Sequence, residues 1–155
     1  MKKIALLSLS LSALIFTGCN SINNTASKLK INTSDLPITN KTWIVTHIHG
    51  EAIKTEPTDR NIPSLLLTSE GNRLSGADGC NRLIGNYTIT SNKLKFGTIG
   101  STMMACLDEN IQKTAQQYGS ALDKVEAYQA TPSTLILKDK DGKALIQFTS
   151  AVQPR

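Results

Sequence analysis

Aromatic residues are scarce in this chain: they make up 5% of its 155 residues, and Trp43 is the sole tryptophan. A core must then be built mainly from Leu, Ile and Val. Basic residues outnumber acidic ones by 17 to 12, yet no block of Lys and Arg gathers them. That dispersal speaks against an electrostatic patch for nucleic acid, and no nucleic-acid partner is expected. No Cys-x-x-Cys spacing is present, which disfavours thioredoxin-like redox chemistry, and no Lys-Ser/Thr completes a phosphate-cradling loop. Serines and acids are scattered and neither histidine sits in a nucleophile motif, so no nucleophile-base-acid arrangement is readable. The chain is expected not to be an enzyme, and no cofactor or metal is expected. The longest apolar stretch also falls short of the ~20 residues needed to span a bilayer permanently.

What is present starts at the first residues. Lys2 and Lys3 form a short positive region, Ile4 to Phe16 an apolar stretch of secretory length, and Thr17-Gly18-Cys19 follows. This arrangement resembles the bacterial lipoprotein signal, in which a small residue precedes a cysteine that is acylated and becomes the mature N-terminus. The resemblance implies a signal peptide over residues 1–18 and lipidation of Cys19 with palmitate-like chains. Two or three chains at ~0.8 kcal/mol per buried CH₂ anchor a protein stably, where one does so only marginally. Asn20, standing where Asp would favour the inner membrane, implies the inner leaflet of the outer membrane, with the rest of the chain in the periplasm. Removing residues 1–18 takes away two lysines and no acids, so the formal charge falls from +5 to +3. Residues 19–41 read as the lipidated cysteine and a polar tether, rich in Asn, Ser and Thr, with a reach of ~26 Å. One folded domain, expected to be monomeric, is then assigned to residues 42–150.

Within it, short apolar runs are punctuated by turn residues. Trp43 to Ile48 alternates, with Trp43, Val45 and His47 on one expected face. Leu65 to Leu67, Leu83 to Ile89, Lys93 to Phe96, Thr134 to Leu137 and Ala144 to Phe148 complete the β-like set. Glu70-Gly71-Asn72, Ser91-Asn92 and Asp141-Gly142 supply the turns. One segment has helical spacing instead: Leu107, Ile111, Ala115, Tyr118, Leu122 and Val125 share a face. Asp108 is placed to cap this helix, about residues 108–124, and Lys124 to suit its last turn. Gly119 inside it costs roughly 1 kcal/mol relative to Ala, which predicts close packing there or a softened helix. The fold class is α+β: a mostly antiparallel, strongly curved sheet, like a cracked barrel, with one helix across an open side or end.

The densest motif is Gly76-Ala77-Asp78-Gly79-Cys80-Asn81, continuing to Gly85 and Tyr87, then Thr102-Met103-Met104-Ala105-Cys106. Together with Trp43 and the Asp141-Gly142 turn, these stretches resemble the META domain of HslJ-like bacterial lipoproteins. The resemblance covers about Lys41 to Thr149. Met103 departs from it, because the family often has a basic residue there. The resemblance implies a mostly β fold with one helix, no established catalysis, and roles in heat shock, stress response or envelope maintenance. At the level of fold it extends to pilot lipoproteins with a lipid-holding cavity, and fold alone does not give function.

With Cys19 assigned to the anchor, Cys80 and Cys106 are expected to pair in an oxidising compartment; reduced neighbouring thiols or a redox- or metal-active pair are the alternatives. Gly76, Gly79 and Gly85 are expected to serve a bulged turn by positive φ or close backbone approach. Asp78 and Asn81 would bond local amides, or mark a binding surface. His47 and His49, two apart, could chelate a metal from one strand face, but solvent-facing polar roles are favoured. Met103 and Met104 could offer soft copper ligands, with core packing favoured. Three roles for the domain follow: a stress-related binding or assembly module acting on an envelope protein, a carrier of an apolar ligand, or an inhibitor of an envelope-targeting hydrolase. For the carrier, Leu65, Leu67, Ile84, Phe96 and Leu137 would line the cavity, or simply form the core.

Overall fold

The computed structural model describes residues 38–55 and 61–151. The signal peptide, Cys19 and most of the tether lie outside the described residues. Among the described residues ten strands are formed, β1 (Thr42–Ile48), β2 (Glu51–Ala52), β3 (Ser64–Thr68), β4 (Arg73–Ala77), β5 (Arg82–Thr90), β6 (Lys93–Phe96), β7 (Gly100–Ser101), β8 (Ala127–Ala130), β9 (Thr134–Lys138) and β10 (Ala144–Ser150). Between β7 and β8 runs the helix α1 (Glu109–Leu122). Eight strands pair antiparallel in the order β10-β9-β8-β6-β5-β4-β3-β1, and β1 pairs back to β10, closing a barrel-like sheet. The short β2 and β7 prolong the edges of β1 and β5.

Closure is uneven around the ring. Five register pairs join β1 to β10, whereas β6 meets β8 through one, Lys93 opposite Ala127. Amide bonds from Leu94 to Glu126 O (3.1 Å) and from Tyr128 to Asn92 O (3.0 Å) extend this seam. An exposed Lys95–Glu126 ion pair at 2.9 Å crosses it, and screening limits such a pair to under about 1 kcal/mol.

Alternation puts Leu65 and Leu67 of β3, Leu135 and Leu137 of β9, and Ile146 and Phe148 of β10 inside the sheet, where all are buried. Each such side chain contributes about 1.5–3 kcal/mol when withdrawn from water. Trp43 joins them, its indole N–H donating to Ile38 O at 2.8 Å. The expected faces of β1 hold only in part. A bulge between Val45 and His47 shifts the register, so Ile48 rather than His47 turns inward after Trp43 and Val45.

α1 packs Tyr118, Ala121 and Leu122 onto this interior, with Tyr118 meeting Phe148 edge to face at 6.4 Å. Asp108 caps it as its sequence position predicts, accepting the amides of Asn110 (2.8 Å) and Ile111 (3.1 Å). The helix stops at Leu122, which leaves Lys124 beyond its last turn. Gly119 is not closely packed: a Cβ there would meet no atom within 4 Å.

Three further readings from sequence are corrected. Arg73–Ala77 is a strand, and Gly76 lies within it rather than in a turn: a Cβ on Gly76 would stand 2.2 Å from Ser64 O of the adjacent strand. Ala127–Ala130, absent from the expected set, is also a strand. The folded domain reaches back into the expected tether, since Ile38 is buried in the core and Asn40 bonds to Leu67 O and to the Ser69 side chain.

Candidate functional site

The two cysteine-bearing motifs run antiparallel beside each other, and this pairing builds the most distinctive surface feature. It starts where β7 lies along β5, Gly100 opposite Ile84 and Ser101 opposite Leu83. The pairing continues past the strand ends. Thr102 N donates to Arg82 O at 3.1 Å, and Arg82 N donates to Thr102 Oγ1 at 3.0 Å. Next, Met104 N donates to the Asn81 side-chain oxygen at 2.9 Å, which also accepts from Thr102 Oγ1 at 3.3 Å. Finally Cys80 and Cys106 form a disulfide, with Cα atoms 5.9 Å apart at a sequence separation of 26. The amides of Asn61 and Gln112 clamp its two ends, donating to Cys80 O and Cys106 O.

Beneath the bridge, Asp78 organises the turn. The residue is only 6% exposed, and its carboxylate accepts the backbone amides of Cys80 at 2.8 Å and Asn81 at 2.6 Å. Charge-assisted bonds of this kind stabilise a buried carboxylate without a basic partner. Gly79, at φ +104°, takes the left-handed conformation that the tight reversal requires. Gly85 serves through close approach instead, since a Cβ there would stand 3.1 Å from Thr98 O. Tyr87 is buried, and its hydroxyl donates to Thr68 O at 3.2 Å. Tyr118 spans from α1 to donate to Ser64 O at 3.1 Å. Burial, and secondarily the negative charge of Asp78, pushes the Tyr118 hydroxyl far above its ordinary range.

The loop held in this way presents apolar side chains to solvent. Met103 is 100% exposed, Met104 56% and Leu107 94%, and Ala105 and Ile111 are exposed beside them. The core role favoured for the two methionines is thus overturned, as is the inward placement of Leu107. The physical reason for Leu107 lies in the cap. It precedes Asp108, and the residue that would staple it, four positions into the helix, is the polar Gln112. Scattered exposed apolar residues are ordinary, but several within one braced loop form a patch of the kind that marks contact surfaces. A shallow cleft of about 80 Å³ adjoins it, lined by Ile53, Pro63, Gly79, Ile111 and Thr114 among others.

The other sequence candidates are dispersed. His47 is part-buried with its Nδ1 3.1 Å from Thr46 Oγ1, and His49 lies in the turn past β1, so the two do not share a strand face. Among the described residues no group of three or more His, Cys, Asp or Glu converges. The five residues considered for a ligand cavity do not line a common space. Leu65, Leu67 and Leu137 are fully buried core, Phe96 packs against its edge, and Ile84 is 67% exposed on the outer face. Asn61 and Gln112, which clamp the disulfide, carried no signal in the sequence; an Asn or Gln amide bonding a distant carbonyl leaves no local pattern.

Comparison with known proteins agrees with this geometry. No curated protein matches the sequence. Among solved structures, an NMR structure of a protein from Burkholderia xenovorans is similar at 27% identity and a TM-score of 0.58, covering 74% of this chain and 84% of that one. A second NMR structure, at 18% identity and a TM-score of 0.56, covers 72% and 89%. A crystal structure of a DUF4847 family protein from Bacteroides vulgatus shares the fold at 17% identity and a TM-score of 0.50, covering 80% and 97%. The family model for the META domain matches residues 36–152, a stretch that contains the barrel, the helix and both cysteine motifs, and the chain therefore belongs to the META domain family.

Proposed function

We propose that this protein is an outer-membrane lipoprotein, anchored through acylated Cys19, whose META domain faces the periplasm as a non-catalytic binding or assembly module in envelope maintenance or stress response. The observation that carries the binding role is the exposed apolar loop from Thr102 to Leu107. Its backbone is held by Asn81, Arg82 and the disulfide, so little conformational entropy is left to lose on contact. The carrier alternative is disfavoured because core side chains fill the inside of the sheet among the described residues.

Two experiments test the parts separately. Labelled palmitate should enter the wild-type chain and not the Cys19→Ala variant; labelling that survives the substitution rejects the anchor. A photocrosslinker placed at Met103 should capture an envelope protein that the same group at Lys140, on the distant hairpin, does not. Capture must fail when Met104 and Leu107 are both replaced by Asp, and equal capture from the two positions rejects the loop as the contact surface. The same braced loop would suit an inhibitor of an envelope-targeting hydrolase. In that case a hydrolase would be the captured protein, and the domain would slow its turnover.

A further inference from the structure

Sulfur in this domain is sorted by exposure. After Met1 the chain has two methionines, Met103 and Met104, neighbours in sequence and both exposed to solvent. The other sulfur atoms among the described residues are joined in the Cys80–Cys106 disulfide and offer no thiol. Aromatic side chains that compete for oxidants are withdrawn: Trp43, Tyr87, Tyr118 and Tyr128 all lie in the core. An exposed thioether is then the readiest target for a two-electron oxidant.

The loop is also built to survive the change. Its anchors are the Met104 amide on Asn81, the Thr102 pairing with Arg82, and the bridge at Cys106. None of them uses a methionine side chain. Oxidation of either sulfur replaces apolar surface by a polar sulfoxide and leaves every anchor in place.

We propose that Met103 and Met104 form an oxidant-reactive modification site, at which two-electron oxidants such as hypochlorous acid turn the apolar face of the braced loop polar without unfolding the domain. The step is an oxygen transfer. Each thioether sulfur loses two electrons and gains one bond to oxygen, while hypochlorous acid is reduced to chloride and releases its proton to solvent. A methionine sulfoxide reductase reverses it: the oxygen leaves as water while a dithiol electron donor of the enzyme becomes a disulfide. Any consequence for partner capture rests on the binding role proposed above; the site itself does not.

The test treats the Cys19→Ala chain, whose remaining cysteines are joined in the Cys80–Cys106 bridge, with limiting hypochlorous acid. Peptide mass spectrometry should find oxygen first at Met103, then at Met104, with the near-ultraviolet dichroism of Trp43 unchanged. Retention on a phenyl matrix should fall as the sulfoxides form. The Met103→Leu/Met104→Leu variant keeps an apolar loop without sulfur, and its retention should not change under the same treatment. Oxygen at Trp43 or the tyrosines ahead of both methionines overturns the proposal. So does loss of the Trp43 signal in step with sulfoxide formation, or phenyl retention that stays constant. Sulfoxides on an intact fold with reduced retention, but undiminished crosslinking through a photoreactive group at Leu107, uphold the modification site and reject the loop as the docking surface.

Discussion

Opening the Cys80–Cys106 bridge should lower the melting temperature of this domain by ~15 °C. The bond closes a loop of 26 positions. In the chain-entropy model, releasing it returns to the unfolded chain an entropy worth about 3.5 kcal/mol at 25 °C. A domain of about 115 residues has an unfolding entropy near 0.24 kcal/mol/K, which converts that energy into the stated shift. The folded side changes little. Thr102 and Met104 remain tied to Arg82 and Asn81 by bonds independent of the sulfurs. The assay is thermal unfolding followed by circular dichroism, with and without a phosphine reductant, alongside a Cys80→Ala/Cys106→Ala variant. That variant should melt slightly below the reduced protein, because Cys80 is buried and its truncation also removes packing. A drop of less than about 4 °C on complete reduction would refute the argument, showing that the unfolded chain gains little freedom when the bridge opens.

Two glycines should respond in opposite directions to alanine. Gly76→Ala drives a Cβ to within 2.2 Å of Ser64 O between paired strands and should destabilise by more than about 4 kcal/mol, read by urea unfolding. Gly119→Ala meets open space in a helix and should stabilise by ~1 kcal/mol in the same measurement. Asn81→Ala removes the acceptor shared by Met104 N and Thr102 Oγ1; a loss of about 1–2 kcal/mol and much faster hydrogen exchange at the Met104 amide are expected. Tyr118 governs alkaline stability. Its folded pKa lies above the unfolded value of 10.0, so its contribution is constant below pH 10 and declines above it, as the unfolded chain releases a proton that the folded chain keeps. Tyr118→Phe should cost about 1 kcal/mol at pH 7, by losing the bond to Ser64 O, yet show a shallower decline between pH 10 and 11.5.

Several local features were legible because their causes are local. Asp108 caps α1 through its own side chain, and Gly142 supplies the positive φ of the hairpin that Asp141-Gly142 announces. The paired cysteine motifs, with Trp43, identify the family. Other features were misread for nameable reasons. Gly76 looks like a strand breaker, and only the approach of Ser64 O explains why a strand needs it. Strict alternation placed His47 with Trp43 and Val45, since a bulge adds a residue without marking the sequence. Leu107 fits a helical period but lies one residue ahead of the cap.

The sequence by itself determined the α+β class, the helix start, most strands and the family, because periodicity, capping and turn chemistry act over a few neighbouring residues. Tertiary structure decided that β10 returns to β1 and closes the sheet, and that Thr102–Cys106 lies antiparallel to Cys80–Arg82. It also decided that Met103, Met104 and Leu107 face water. Apolar character makes burial favourable for any of them, but which side chains find room inside depends on how many others already fill the barrel. That competition is global, and no local pattern records it.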